Sequence, residues 1–239
     1  MHVPDGLMSG TVSFGAGALS AAAFALTRRA PPEPARPGPA PDRAPLVGVT
    51  AAFLFAAQMI NVPVLPGVSG HLMGGALAAT LLGAGEALLV MLVVLVVQCF
   101  AFGDGGVTAL GVNVFNLGVV GAVVSAGLLR VTRRVLPATR AAFLASVGVV
   151  AWFSVVLAAA ACAAQLMLSG HTESPGLLFG SLLGIHAVIG VGEALLTVGV
   201  VGAVLSARPE LVQLAPELDG SSHNTGGETA ESHVEEARS

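Results

Sequence analysis

Lysine is missing from this chain; all ten basic residues are arginine. Charge of either sign is scarce, at 10% of residues, where an ordinary soluble domain carries about a quarter. Hydrophobic residues make up 54% of the 239, so a soluble globular domain is excluded. The formal net charge of -4 comes largely from an acidic tail after Arg208. The arginines lie in short clusters without interleaved aromatics, which excludes a nucleic-acid-binding face. Cysteine is limited to Cys99 and Cys162, both inside apolar runs. They build no disulfide framework and read as small buried hydrophobes. The opening MHVPDGLMSG has neither a basic region nor a compact apolar core. No cleavable signal peptide is therefore expected, and the N-terminus is read as mature. There is no GxxxxGK[ST] loop to cradle a nucleotide phosphate, so ATP hydrolysis by that route is excluded.

What the chain does contain is membrane-spanning sequence. A spanning helix needs about 20 apolar residues, and seven candidate spans can be read, at 9–27, 44–60, 70–83, 86–102, 108–129, 141–168 and 176–206. The third is near the lower limit of length. The last two are long enough to require tilt or a break, with Gly180, Gly184, Gly190 and Gly192 as break points in the last. With seven spans, every arginine falls on one side: Arg28, Arg29, Arg36 and Arg43 after the first, Arg130, Arg133, Arg134 and Arg140 after the fifth, Arg208 and Arg238 after the last. Arginine marks the cytoplasmic side, so the N-terminus is expected outside and the C-terminus in the cytoplasm of the cell membrane. The expected organisation is all-α: an N-terminal metal-binding loop at 1–8, a helical bundle at 9–206, and a disordered acidic tail at 207–239. A Pro-rich linker at 30–45 connects the first two spans.

The chemistry concentrates at the N-terminus. Met1 offers an α-amine, and His2 an amide nitrogen and an imidazole. A metal ion binding all three closes two small chelate rings. The bulky His2 is expected to protect Met1 from removal. Pro4 and the Asp5-Gly6 pair suit a folded-back loop. One further nitrogen completes a four-nitrogen plane of the kind that suits Ni(II) or Cu(II). His71, in NVPVLPGVSGHLMGGALAATLLG, is the candidate. Taken singly, each histidine is better explained as incidental. Their joint placement on the outer side of an apolar bundle shifts the balance, because polar groups at membrane depth are costly.

MHVPDG, NVPVLPGVSGHLMGGALAATLLG and QCFAFGDGGVTALGVNVFNLGVVG together resemble the signature regions of the CbiM/NikM family. That family supplies the substrate-capturing membrane subunits of energy-coupling-factor importers for cobalt and nickel, the former for cobalamin biosynthesis. The resemblance covers nearly all of residues 1–206. It implies a seven-helix bundle with the N-terminal segment at its centre, and metal ligation by the Met1 amine, His2 and His71. It also implies partners: a transmembrane coupling subunit, cytoplasmic ATPases and in some systems a small accessory membrane subunit. No resident cofactor and no enzymatic activity are implied; Ni(II) or Co(II) is cargo. Two other readings stand beside this one. A metal-dependent intramembrane enzyme would need a general base and an open coordination position, and no HExxH or serine constellation occurs. A passive channel or scaffold would retain no ion.

Gln58, Gln98, Asn113 and Asn116 are intramembrane polar groups, suited either to orienting the metal loops or to plain interhelical hydrogen bonding. Asp104 reads better as a turn residue than as a cation attractor. His186 and Glu193, seven residues apart, are expected to share a helix face and to pair. Glu86 is expected at a cytoplasmic helix start. His171 reads as a loop residue with a weak claim on ion capture.

Overall fold

The computed structural model describes residues 2–31, 43–65, 68–170 and 174–217. Among the described residues seven helices follow one another: α1 Gly10–Arg29, α2 Ala44–Gln58, α3 Gly75–Leu82, α4 Ala84–Phe102, α5 Leu110–Val135, α6 Arg140–Leu168 and α7 Pro175–Ala207. Their ends follow local chemistry. The Ser9 hydroxyl accepts from Val12 N–H at 3.4 Å, and Arg28 and Arg29 occupy the last turn of α1. Thr139 caps α6 by accepting from Ala142 N–H at 3.2 Å. Pro175 starts α7, where its missing N–H costs nothing. Among the described residues five helices (α1 and α4 to α7) are long and apolar enough to cross a bilayer; α2, with 15 residues, is shorter.

The third expected span takes a different form. The helical part, α3, has only 8 residues, about 12 Å of rise. An extended stretch precedes it. That stretch begins as a small antiparallel hairpin, β1 Val62–Leu65 and β2 Val68–Gly70, with Val62 opposite Gly70 and Pro63 opposite Ser69. The all-helical expectation did not contain it. Every residue of α3 is buried, among α4, α5, α6 and α7. A backbone at that depth must be enclosed by protein, and this one is. Glycine makes the fit: a Cβ on Gly75 would sit 2.5 Å from the Gly121 backbone of α5.

In α5, residues Val114–Val124 form a π-helical stretch between α-helical ends. No glycine break interrupts α7. It runs 33 residues without interruption, about 50 Å, so tilt or projection past the hydrocarbon layer takes up the excess.

Three of the described arginines converge at one end of the bundle. Arg28, Arg43 and Arg130 line one hollow of about 590 Å³ with Glu86 and Gln213. Arg43 pairs with Glu86 at 3.0 Å, donates to the Leu81 and Leu82 carbonyls that end α3, and donates to the Gln213 side chain. Glu86 lies in the first turn of α4, as expected. The tail departs from expectation up to residue 217: Val212 and Leu214 are fully buried, and Leu214 N–H donates to Thr80 O at 3.0 Å. Residues 218–239, and residues 32–42 of the linker, lie outside the described residues.

Candidate functional site

At the opposite end, the N-terminal segment enters the bundle. Met1 lies outside the described residues. His2 and Val3 are buried, at 3% and 0% exposure. An apolar side chain draws Val3 inward, and its peptide groups then need partners. Asn113, at the start of the π-helical stretch, supplies them. Val3 N–H donates to Asn113 Oδ1 at 2.8 Å, and Asn113 Nδ2 donates back to Val3 O at 3.1 Å. Gly106 N–H donates to the same carbonyl at 2.9 Å. The side-chain amide thus stands in for a neighbouring strand. Two residues on, Asp5 Oδ1 accepts from Thr108 N–H at 2.7 Å and from its hydroxyl at 2.6 Å. Those bonds hold the Asp5 carboxyl below its usual range. Gly106 is forced by proximity, since a Cβ there would lie 2.3 Å from Asp5 N.

The second element is the turn that leads from β2 into α3. His71 follows the hairpin directly and is 2% exposed. Its Nδ1 lies 2.8 Å from Leu72 O, which assigns the proton to Nδ1 and leaves Nε2 bare. Met73 N–H and Gly74 N–H donate to the two oxygens of Glu193, at 2.8 and 2.7 Å. Gln58 Nε2 donates to Met73 O at 2.7 Å. The turn is therefore held from α7 on one side and from α2 on the other.

The two elements meet through their histidines. The rings of His2 and His71 stack, with centroids 4.4 Å apart and planes inclined by 22°. Nε2 of His71 and both ring nitrogens of His2 are buried without a hydrogen-bond partner; a chelate that includes the His2 amide closes through Nδ1 of that ring, because Nε2 faces away from its own backbone. Buried polar atoms are rarely left so, and a bare imidazole nitrogen is a metal ligand in waiting. Asp104 Oδ2 lies 3.2 Å from His2 Nδ1. Burial pushes the His2 imidazole below the ordinary histidine range, against the pull of Asp104. His2 in turn holds Asp104 below the ordinary carboxylate range. A neutral His2 is in the form a metal requires. Among the described residues, no three His, Cys, Asp or Glu side chains cluster in the manner of a metal cage.

The remaining candidates sort by their contacts. Asp104 is more than a turn residue, because it faces His2. Asn113 and Gln58 hold the two loops. Asn116 Nδ2 donates to Gln165 Oε1 at 2.7 Å, an interhelical bond between α5 and α6. Gln98 adjoins His2 with its amide buried and unpaired. His186 and Glu193 do not pair. His186 Nδ1 turns to Leu182 O of its own helix at 2.8 Å, while Glu193 spends both oxygens on the His71 turn. Sequence spacing placed these two on one face, and the contacts across the bundle went elsewhere. Cys99 and Cys162 are free and buried. His171 lies outside the described residues.

Comparison with known proteins bears on the chain as a whole. Residues 2–211 match the family model described as the cobalt uptake substrate-specific transmembrane region, CbiM. A protein of Haloquadratum walsbyi, provisionally named as a metal transport protein, is 38% identical over 213 residues, 89% of this chain and 93% of that one. A protein of Archaeoglobus fulgidus, provisionally named as the fused nickel transport protein NikMN, is 38% identical over 169 residues, 70% of this chain. Here the match spans 55% of the relative's length. A cobalt transport protein CbiM of Pelobacter propionicus is 32% identical over 187 residues, 75% of this chain and 81% of that one. The crystal structure of a transition metal transporter superposes with a TM-score of 0.74 at 25% identity, covering 87% of this chain and 93% of that one.

Proposed function

The chain belongs to the CbiM family of cobalt uptake transmembrane proteins, and from that premise we propose that it captures Ni(II) or Co(II) for an ATP-driven importer. The ion is bound by the Met1 amine, the His2 amide nitrogen, the His2 imidazole and His71 Nε2. The observation that carries this reading is the meeting of His2 and His71, 69 positions apart in sequence, with unpaired ring nitrogens and centroids 4.4 Å apart. Loss of the amide proton is costly, and strong equatorial bonding by Ni(II) offsets it; Co(II) fits such a plane less closely.

The convergence of Arg28, Arg43 and Arg130 on one hollow supports a cytoplasmic assignment for that end. The histidine end then faces outward, where an imported ion arrives, and the C-terminus is cytoplasmic. Transport work comes from separate subunits: a membrane coupling subunit and cytoplasmic ATPases, with or without a small accessory membrane protein. Their nucleotide cycle reorients this chain and releases the ion inside, in the cobalt case for cobalamin biosynthesis.

The test is metal analysis of untagged protein purified in detergent. About one ion per chain is expected to remain bound, and His2→Ala and His71→Ala are each expected to abolish tight binding while the protein elutes as a monodisperse species. A tag placed before Met1 is expected to do equal damage, because it converts the amine to an amide. Wild-type affinity in both histidine variants would remove the site.

A further inference from the structure

Glu193 is fully buried in the middle of α7. An ionisable side chain at that depth is costly and calls for a physical reason. Its surroundings supply one. Both carboxylate oxygens are taken, one by Met73 N–H at 2.8 Å and one by Gly74 N–H at 2.7 Å. These two peptide groups lie at the foot of α3, where helical bonding has not begun and the amides have no internal acceptor. Gly74 is in the left-handed region at φ +71°, a conformation that turns consecutive N–H groups toward one acceptor. The carboxylate therefore fixes the turn two and three residues after His71.

We infer that Glu193 is a positioning residue for the metal site. It sets where His71 Nε2 lies by clamping the turn that carries it. This rests on the reading of His71 as a ligand. Glu193 touches no metal in this scheme; it acts through two backbone amides. Partners of this kind, one shell out from a ligand, commonly change metal affinity by about 10- to 100-fold. Two charge-assisted bonds spanning 120 positions of sequence are a strong instance. A glutamine cannot reproduce them. One of its two ends is an NH₂ donor and would face an N–H donor.

The experiment uses the untagged full chain, with Ni(II) titrated by calorimetry and Cu(II) used as a spectroscopic probe. Four variants are compared: Glu193→Gln, His71→Ala, the double variant, and Glu193→Asp. Glu193→Gln is expected to weaken Ni(II) binding about 10- to 100-fold. Its Cu(II) spectrum is expected to move toward that of His71→Ala, since the same nitrogen is displaced. The double variant is expected to bind no more weakly than His71→Ala alone, because two changes that act on one ligand do not add. Glu193→Asp keeps both acceptors but withdraws them by one methylene. It is expected to show a smaller change in the same direction, and it carries the test if the glutamine variant does not fold. An unchanged Cu(II) spectrum with losses that add to those of His71→Ala would reduce Glu193 to a structural residue and overturn the inference. If His71→Ala itself binds normally, the ligand assignment fails instead, and the two failures are thereby told apart.

Discussion

Asn113→Ala is the most direct test of how the N-terminal segment is held. The side chain is 1% exposed, and Val3, its partner, is fully buried. Truncation removes an acceptor for Val3 N–H and a donor to Val3 O. The carbonyl keeps its bond from Gly106 N–H, so the N–H is the group left orphaned. A buried unsatisfied donor costs about 1–3 kcal/mol, and the lost second bond adds about 1 kcal/mol. Docking of the segment is thus weakened by about 2–4 kcal/mol, or about 30- to 1,000-fold in its equilibrium constant. Metal affinity falls by that factor less whatever reserve of docking stability the wild type holds. Calorimetric titration of Ni(II) into untagged protein reads the loss, and proteolysis of the first residues reads the release. Asn113→Asp serves as the companion, because it retains the acceptor for Val3 N–H and loses only the donor; an intermediate loss is expected. A folded Asn113→Ala protein with affinity within twofold of wild type would refute the reasoning. The chelating end would then be held by something other than this amide pair.

Three further outcomes are expected. Gly106→Ala places a methyl 2.3 Å from Asp5 N and 2.7 Å from the Pro4 carbonyl carbon, a collision with backbone that costs about 1–3 kcal/mol; it is expected to expel the segment and lose the retained ion in elemental analysis. Asn116→Ala removes the bond to Gln165 and is expected to lower stability by about 0.6–1.7 kcal/mol in a denaturation series, with Ni(II) affinity unchanged. Asp5 titrates below its usual 3.8 because Thr108 donates to its ionised form. The sign follows: its hold on Thr108 is complete above about pH 4 and is lost as pH falls through the lowered value. Exchange of the Thr108 amide is expected to lose protection there, and Asp5→Asn is expected to flatten that dependence.

Much of the bundle was legible in the sequence because a bilayer leaves few alternatives. Apolar runs must be helical where lipid surrounds them, so spans such as 86–102 and 141–168 came within two residues of α4 and α6. The third run was read as a plain span because hydropathy records burial, and α3 is buried throughout. Hydropathy does not record whether lipid or protein does the burying. Only the latter allows an extended approach and a helix of two turns. The disordered reading of the tail failed over 209–217 for a related reason. Val212 and Leu214 are too few to form a hydrophobic run, but they fit against α3 once the bundle exists.

The sequence by itself determined that the chain holds several apolar membrane-spanning runs, and it offered Met1, His2 and His71 as candidate nitrogen ligands. These are properties of composition and order along the chain, and water and lipid read them locally. The tertiary structure alone decided who meets whom. His2 lies against His71 and Asp104, Val3 is paired by Asn113, and Glu193 passes over His186 to grip the turn beside His71. Each of these contacts joins residues 69 to 120 positions apart, and no local preference encodes them. They arise because burying apolar helices forces the remaining polar groups to find partners in whatever space the packing leaves.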